Sequence, residues 1–292
     1  EPGVDVLLDS AVQVLVNGVL NAVGTAQDSI RFLKSGESYW GGITLAGSGS
    51  VLAFVRVSGG DKGPGSGGGI LVNGANTVIR NSVISGNRAT NGGAIACFTE
   101  SLWLTDCVIS SNTATVHGGG LYAGQWVPKG PDWRPRLEGC VLRDNSAGYS
   151  GGAIYNAGQY MQMRNCLVFG NAALTVVEIF PTSNYLTLYS PLIMMDRCTI
   201  YNDKGALCAV RTRNPYTGGI GSTLSSLEVC NTIVWGATPA QQVIVTRGPV
   251  HVVYSDIQQE SGVFPGTGNI NADPLFVDPA NGDFRLLPGS PC

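Results

Sequence analysis

The sequence predicts an all-β chain wound as a single-stranded parallel β-helix, a solenoid of about ten coils. Two columns of recurring motifs and one absence predict it. The first column is Gly67-Gly68-Gly69-Ile70, Gly92-Gly93-Ala94-Ile95, Gly118-Gly119-Gly120-Leu121 and Gly151-Gly152-Ala153-Ile154. The second runs from Asn81-Ser82-Val83-Ile84 to Asn87, from Asp106-Cys107-Val108-Ile109 to Asn112, from Gly139-Cys140-Val141-Leu142 to Asn145, and from Asn165-Cys166-Leu167-Val168 to Asn171. Both columns keep the same step of about 25 residues, the mark of a repeat architecture. What is absent is any helical stripe: the apolar runs are short, alternate, and are broken by Gly and Asn.

Short strands at about three per turn account for that step, and successive coils then stack in parallel about 4.8 Å apart. Gly and Asn recur at one place per coil because a sharp corner needs a residue that accepts positive φ, and a column of Asn can hydrogen-bond along the stack. The glycine-motif column has an earlier echo at Ile43 and is expected to continue at Ile179 and Leu207. The small-residue column reads Ser82, Cys107, Cys140, Cys166, Cys198 and Thr232, with Asp203 in the slot after Asn171.

In chain order, residues 1–39 read as the first coils, with Val12 to Ala22 alternating and turning at Gly18 before Ile30-Arg31-Phe32. The repeats are clearest over 40–236. Residues 58–66, Ser58 to Ser66, are glycine-rich, but no Gly-Lys-Ser/Thr and no helix follow, so they read as a corner and not a phosphate cradle. Nothing resembles a linker, so residues 1–292 are expected to form one continuous β-helical domain with a terminal coil over 250–292.

The alternating glycine and Asn motifs resemble the right-handed parallel β-helix superfamily that includes pectate lyases, and most closely the repeats of polymorphic outer membrane proteins and related bacterial surface proteins. That resemblance implies a right-handed coil and an extracellular or bacterial cell-surface location. It does not imply one activity, since lyases, hydrolases, epimerases, adhesins and phage tailspikes share the coil. Residues 1–39 are expected to start inside the coil, without the amphipathic cap helix common in the superfamily, so that either upstream residues or a partner covers that end. The exposed edge makes self-association through open coil ends an expectation. Val253-Tyr254-Ser255-Asp256, Gly268 to Pro279 and Gly282 to Pro291 resemble the terminal coil of exported bacterial proteins of the choice-of-anchor group, although Cys292 stands where that family usually has Ala-Ile-Asp.

The net charge of −3 argues against a nucleic-acid partner. No apolar run is long enough for a membrane span. Cys107, Cys140, Cys166 and Cys198 sit where neighbouring coils place Ser82 and Thr232, so they read as small buried hydrophobes and not disulfide partners. Cys97, Cys208, Cys230 and Cys292 lie off that column, with their pairing open. No zinc-type spacing appears, and no cofactor is expected. Asp273, Asp278, Asn281 and Asp283 offer oxygen ligands for Ca²⁺, but two Asp-Pro steps and an Asn-Gly explain them as turn residues.

Function is expected where the period breaks. The stretches Ile70 to Ser82, Ile95 to Cys107 and Ile154 to Cys166 are short, while Leu121 to Cys140, Ile179 to Cys198 and Leu207 to Thr232 carry insertions that leave the same side of the coil. These bring Trp126, Lys129, Trp133, Arg134 and Arg136, then Tyr185 and Tyr189, then Arg211, Arg213 and Tyr216. The short coil between the first two floors a groove with Tyr155, Asn156, Gln159 and Tyr160. Aromatic faces stack on sugars, and Arg or Lys pairs with carboxylate or sulfate. The expected partner is therefore an anionic polysaccharide, bound as by an adhesin. The expected binding residues are Trp126, Lys129, Trp133, Arg134, Tyr155, Tyr185, Arg211, Arg213 and Tyr216. A polysaccharide lyase or glycoside hydrolase using the same groove is the alternative, and an end-to-end structural module a third. A hydrolase needs paired carboxylates, and the residues before the small column (Asn81, Asp106, Gly139, Asn165, Arg197, Asn231) stack no acidic pair. A lyase needs a base, for which Lys129, Lys204, Arg211, Arg213 and Tyr216 are candidates, but no catalytic motif is recognisable. His117 occupies a corner slot shared with Asn91 and Ser150, and His251 lies on a strand; both read as structural.

Overall fold

The structure is a computed structural model that describes residues 1–99, 101–124, 135–158, 160–180, 192–213, 225–237, 241–246 and 248–292. Three long parallel sheets run along it, and a short fourth, Arg88–Asn91, Thr113–His117 and Ser146–Ala147, lies between the first and the second. The first stacks ten strands from Asp5–Leu8 to Asp256–Ile257. The second stacks nine from Val14–Val16 to Val243–Val245, and the third stacks nine from Asn21–Val23 to Val250–Val253. The chain visits the sheets in that order once per coil. This is the β-helix the motif columns predict.

The register shows why the columns repeat. Ile43, Ile70, Ile95, Leu121 and Ile154 are paired rung by rung on the second sheet and are fully buried. The next two rungs depart from expectation: Ile154 pairs with Val177 and then Val210, not with Ile179 and Leu207. The cause lies at the corner before them. In the earlier coils the first glycine of the pair turns with positive φ (64° at Gly92), and the second lies so close to the next coil that a Cβ on Gly93 would sit 2.5 Å from the Gly119 carbonyl. The coil of Val177 has no glycine pair. Thr175 takes its place and accepts the Gly151 N–H through its hydroxyl at 3.2 Å.

A single left-handed residue turns the chain from the third sheet to the first. Phe54, Asn81, Asp106, Gly139, Asn165, Arg197, Asn231 and Tyr254 all stand there with φ between 48° and 62°. Asn, Asp and Gly enter that region at little cost, whereas Phe54, Arg197 and Tyr254 are held in it by the register of their neighbours. The small column follows at once, buried. The Cys107 thiol lies 3.4 and 3.3 Å from the carbonyls of Ile79 and Thr105, Cys140 and Cys166 repeat the arrangement, and Cys198 keeps the contact to the Asp196 carbonyl at 3.5 Å, all as free thiols.

Asn87, Asn112, Asn145 and Asn171 form a ladder inside the next corner. Each amide donates to the following carboxamide oxygen, at 3.0, 2.9 and 3.0 Å. Asp203 then breaks the ladder by accepting the Gly170 N–H at 2.7 Å. Asn202, Gln242 and Gln258 resume it with amide contacts of 3.1 Å.

The expected terminal coil is only partly a coil. Beyond Ile257 and a last bridge to Ile270, Phe276–Asp278 and Asp283–Leu286 form an antiparallel hairpin. Its Phe276 and Phe284 pack on Tyr201, and Phe284 also on Phe169, side chains that point outward from the first sheet. The chain thus ends by folding back along its own flank.

Burial of the thiol column makes a direct prediction. Iodoacetamide should label Cys230 and Cys292 at most in the native protein, and the remaining six cysteines only after unfolding. Replacing Cys140 by Ala should cost about 1 kcal/mol, whereas Ile154→Asp should cost about 4 kcal/mol or more, because it buries an unpaired charge. Fast native alkylation of Cys140 would contradict the packing, and denaturant titration measures both costs.

Candidate functional site

The outer face of the second sheet is where the chemistry gathers. Side chains alternate along each strand, so the residue after the buried column points outward. Along the stack that position reads Thr44, Leu71, Ala96, Tyr122, Tyr155, Glu178, Arg211 and Ile244. Small residues give way to aromatic ones and then to a charged pair.

Tyr155 is the centre of the aromatic part. Its ring lies parallel to Tyr122 at 5.7 Å and stacks on Phe180 at 6.1 Å. His117 reaches it from the corner between the first and second sheets and stacks at 4.1 Å, with Tyr149 edge-on to the imidazole at 5.4 Å. Burial pushes the Tyr155 and Tyr122 hydroxyls up, and Glu178 adds to the effect on Tyr155. Burial also lowers His117, with Arg213 acting in the same direction against a backbone hydrogen bond at Ser150.

The charged part is a buried ion pair. Arg211 donates through Nε to Glu178 at 2.8 Å and through Nη2 to its other oxygen at 3.0 Å, and the Thr175 hydroxyl donates to Glu178 at 2.9 Å. The Glu178 side chain is fully buried, which raises its carboxyl pKa against the opposing pull of Arg211. Two residues on, Arg213 is differently placed. It donates to the Tyr149 hydroxyl at 3.3 Å and lies 5.9 and 6.0 Å from the Tyr149 and Phe180 rings, and among the described residues no carboxylate lies within ion-pair distance of it.

The predicted groove residues therefore separate. Tyr155 and Arg213 come together on this face. Arg211 is there too, but Glu178 consumes its charge, so it organises the face and does not present a free cation. Asn156 shares the buried register column of Ala123 and Ile179 and points inward, because strand alternation puts it opposite Tyr155. Tyr160 and Arg136 stand on the third sheet, where Arg136 lies 5.3 Å over the Trp103 ring. Trp126, Lys129, Trp133, Arg134, Gln159, Tyr185, Tyr189 and Tyr216 lie outside the described residues. The three insertions do connect the same two sheets, each leaving the second and rejoining the third.

Several members of the cluster were not singled out for the site by the sequence reading. Glu178 sits inside an apolar run, Thr175 to Phe180, and only the register pairing it with Arg211 gives it a role. His117 does share a register slot with Asn91 and Ser150, but as the last residue of a strand, Thr113–His117, and not in a turn, and its contact with Tyr155 crosses coils. His251 is an exposed strand residue in register with Glu228, as expected of a solvated face. Lys204, a candidate base, pairs with Asp203 at 3.7 Å. The carboxylates near the end of the chain are engaged locally: Asp278 accepts from Asn281 at 2.7 Å, and Asp283 pairs with Arg285. Among the described residues no cluster of His, Cys, Asp and Glu is arranged to hold a metal ion, and no helix is long and apolar enough to cross a membrane.

Three stacked parallel sheets with an outward site on one of them define the β-helix class of proteins. A family model for the right-handed beta helix region matches residues 30–185, and the chain belongs to that family. The coil is accordingly right-handed. No curated protein matches the chain.

The His117 environment is directly testable. A group whose folded pKa is depressed contributes stability that is present above its unfolded value, here 6.5, and that is lost as pH falls through the folded value. An NMR titration should place the His117 midpoint below 6.5, and Arg213→Ala should move it upward. A midpoint at or above the ordinary value would contradict the stacked, half-buried placement.

Proposed function

We propose that the outer face of the second sheet binds an anionic polysaccharide, and that the protein is an exported or cell-surface β-helix acting as a binding, adhesin-like module. The observation that carries this reading is Arg213: a guanidinium beside the Tyr149 and Phe180 rings, the latter stacked on Tyr155, with no carboxylate partner among the described residues. A sugar ring presents a C–H face that stacks on aromatics, and a uronate carboxylate or a sulfate supplies the missing counter-charge for a planar guanidinium. The insertions that hold Trp126, Lys129, Trp133, Arg134, Tyr185 and Tyr216 leave the chain directly after Gly124, Phe180 and Arg213.

Binding is favoured over lyase or hydrolase chemistry because the carboxylate on this face is already committed. Glu178 accepts from both Arg211 and Thr175 and is fully buried, a poor position for a general acid or base.

The test is affinity for polygalacturonate, alginate and heparin, measured by calorimetry and by ultraviolet absorbance for unsaturated product. Arg213→Ala should weaken binding about tenfold or more, with little change in thermal stability. Raising the salt should weaken the wild-type complex further. Unchanged affinity in Arg213→Ala would remove the proposed site, and release of unsaturated product would move the protein to the lyase class.

A further inference from the structure

Where the chain folds back along its flank, it closes over a hollow of about 420 Å³ on the outer side of the first sheet. Asp256 stands at its base. On the last rung Asp256 is in register with Ile233, and Ile257 with the buried Val234. Strand alternation therefore turns Ile257 into the bore and Asp256 outward. The chain that follows covers that carboxylate, so the residue is only 3% exposed although it points away from the core. The walls are apolar, made by Ile233, Ile270, Leu286 and Pro291. Tyr254 stands at the rim, in the corner slot (φ 49°) that Asn165 and Asn231 hold in earlier coils. Its ring packs over Gly268, where a Cβ would lie 2.4 Å from it.

The carboxylate is buried without a counter-charge. Its Oδ1 accepts the Ala272 N–H at 3.2 Å, and its Oδ2 accepts the Cys292 thiol at 3.1 Å. No Lys or Arg lines the hollow, and among the described residues none lies within ion-pair distance of Asp256. Burial raises the Asp256 carboxyl pKa; the hydrogen bonds from Cys292 and Ala272 oppose that rise, and Asp273 adds to it. Burial also pushes the Cys292 thiol up to about 12, so it stays a neutral donor. A carboxylate has about four acceptor positions, and these two bonds leave the others open. Buried charges are normally paired, and the partner that fits here is a cation with hydrogen bonds to give.

The hydroxyls in the lining are already engaged. Ser255 donates to the Val253 carbonyl and accepts the Thr232 N–H, and Thr232 repeats that arrangement with Cys230 and Cys198. The hollow thus offers one acidic acceptor in an apolar setting, at a size within the ~300–1,000 Å³ of small-molecule sites. We infer that it binds a small primary amine, with the ammonium on Asp256 and the hydrocarbon body against Ile233, Ile270, Leu286 and the Tyr254 ring. A primary ammonium has three N–H donors, enough to fill the open acceptor positions. A hard metal ion needs several oxygen ligands, and among the described residues no cluster supplies them. An anion would meet only like charge, and a neutral sugar would leave Asp256 unpaired. The site is separate from the outer face of the second sheet, whose proposed ligand carries the opposite charge.

The experiment uses the full chain with phenethylamine and hexylamine, and with phenethyl alcohol and hexanol as neutral probes of the same shape, followed by saturation-transfer NMR and amide chemical shifts. At least one amine should bind with a Kd of about 1 mM or tighter, and its alcohol about tenfold more weakly. Asp256→Asn keeps the shape and an acceptor for Ala272, and it should weaken the amine about tenfold. Tyr254→Asn gives this coil the corner residue of its neighbours and should weaken phenethylamine more than hexylamine. Amine affinity should also fall as the pH drops through the folded-state pKa of Asp256, which lies above the ordinary 3.8. Arg213→Ala should leave amine binding unchanged, and Asp256→Asn should leave polygalacturonate binding unchanged, so the two sites stand or fall independently. The inference is overturned if neither amine binds, if the alcohols bind as tightly as the amines, or if Asp256→Asn binds amine as the wild type does.

Discussion

Asn112 donates its side-chain amide to Asn145 while its oxygen accepts both the backbone N–H and the side-chain amide of Asn87, so one residue ties together three coils. A carboxamide shifted by a single residue would leave a buried donor or acceptor unpaired, at a cost of about 1–3 kcal/mol. A one-residue slip would also turn every outward side chain into the bore. The ladder thereby decides which residues face solvent on all three sheets. The outward row from Tyr122 to Arg211 inherits its alignment from it.

Alignment alone does not make a site, and the second sheet shows what adds to it. Successive rungs bring Tyr155, Glu178 and Arg211 into one file, and burial there strengthens whatever charges are present. Glu178 and Arg211 meet that condition by pairing with each other. Arg213, two residues along and closer to the chain's exit from the sheet, keeps its charge against aromatic neighbours. The strand Cys208–Thr212 therefore carries one arginine that holds the face together, and just past its end stands one with no carboxylate partner among the described residues.

The repeat was legible in the sequence wherever it was redundant. Glycine pairs and small residues recur in register through Ile154, and each column checks the other. The glycine column became unreadable where Thr175 replaced the pair, and for that reason Ile179 and Leu207 stood in for Val177 and Val210. Tyr155 and Arg213 were legible as an aromatic ring and a cation close to insertions, and the structure brings those two residues to one face. Glu178 was not, because its partner Arg211 lies on the next coil and a lone Glu in an apolar run has no local signature. Arg136 misled for the opposite reason: it borders an insertion in sequence, but the strand it begins belongs to the third sheet.

Side-chain footprinting by hydroxyl radicals measures the central claim most directly, since it reads which aromatic rings a glycan covers. Tyr149 on the proposed face and Trp103 on the third sheet are similarly exposed in the free protein, at 45% and 47%. Adding a saturating uronic-acid oligosaccharide should protect Tyr149 and leave Trp103 oxidised at its free rate. Protection of Trp103 with Tyr149 unchanged would place the ligand on another face and contradict the account.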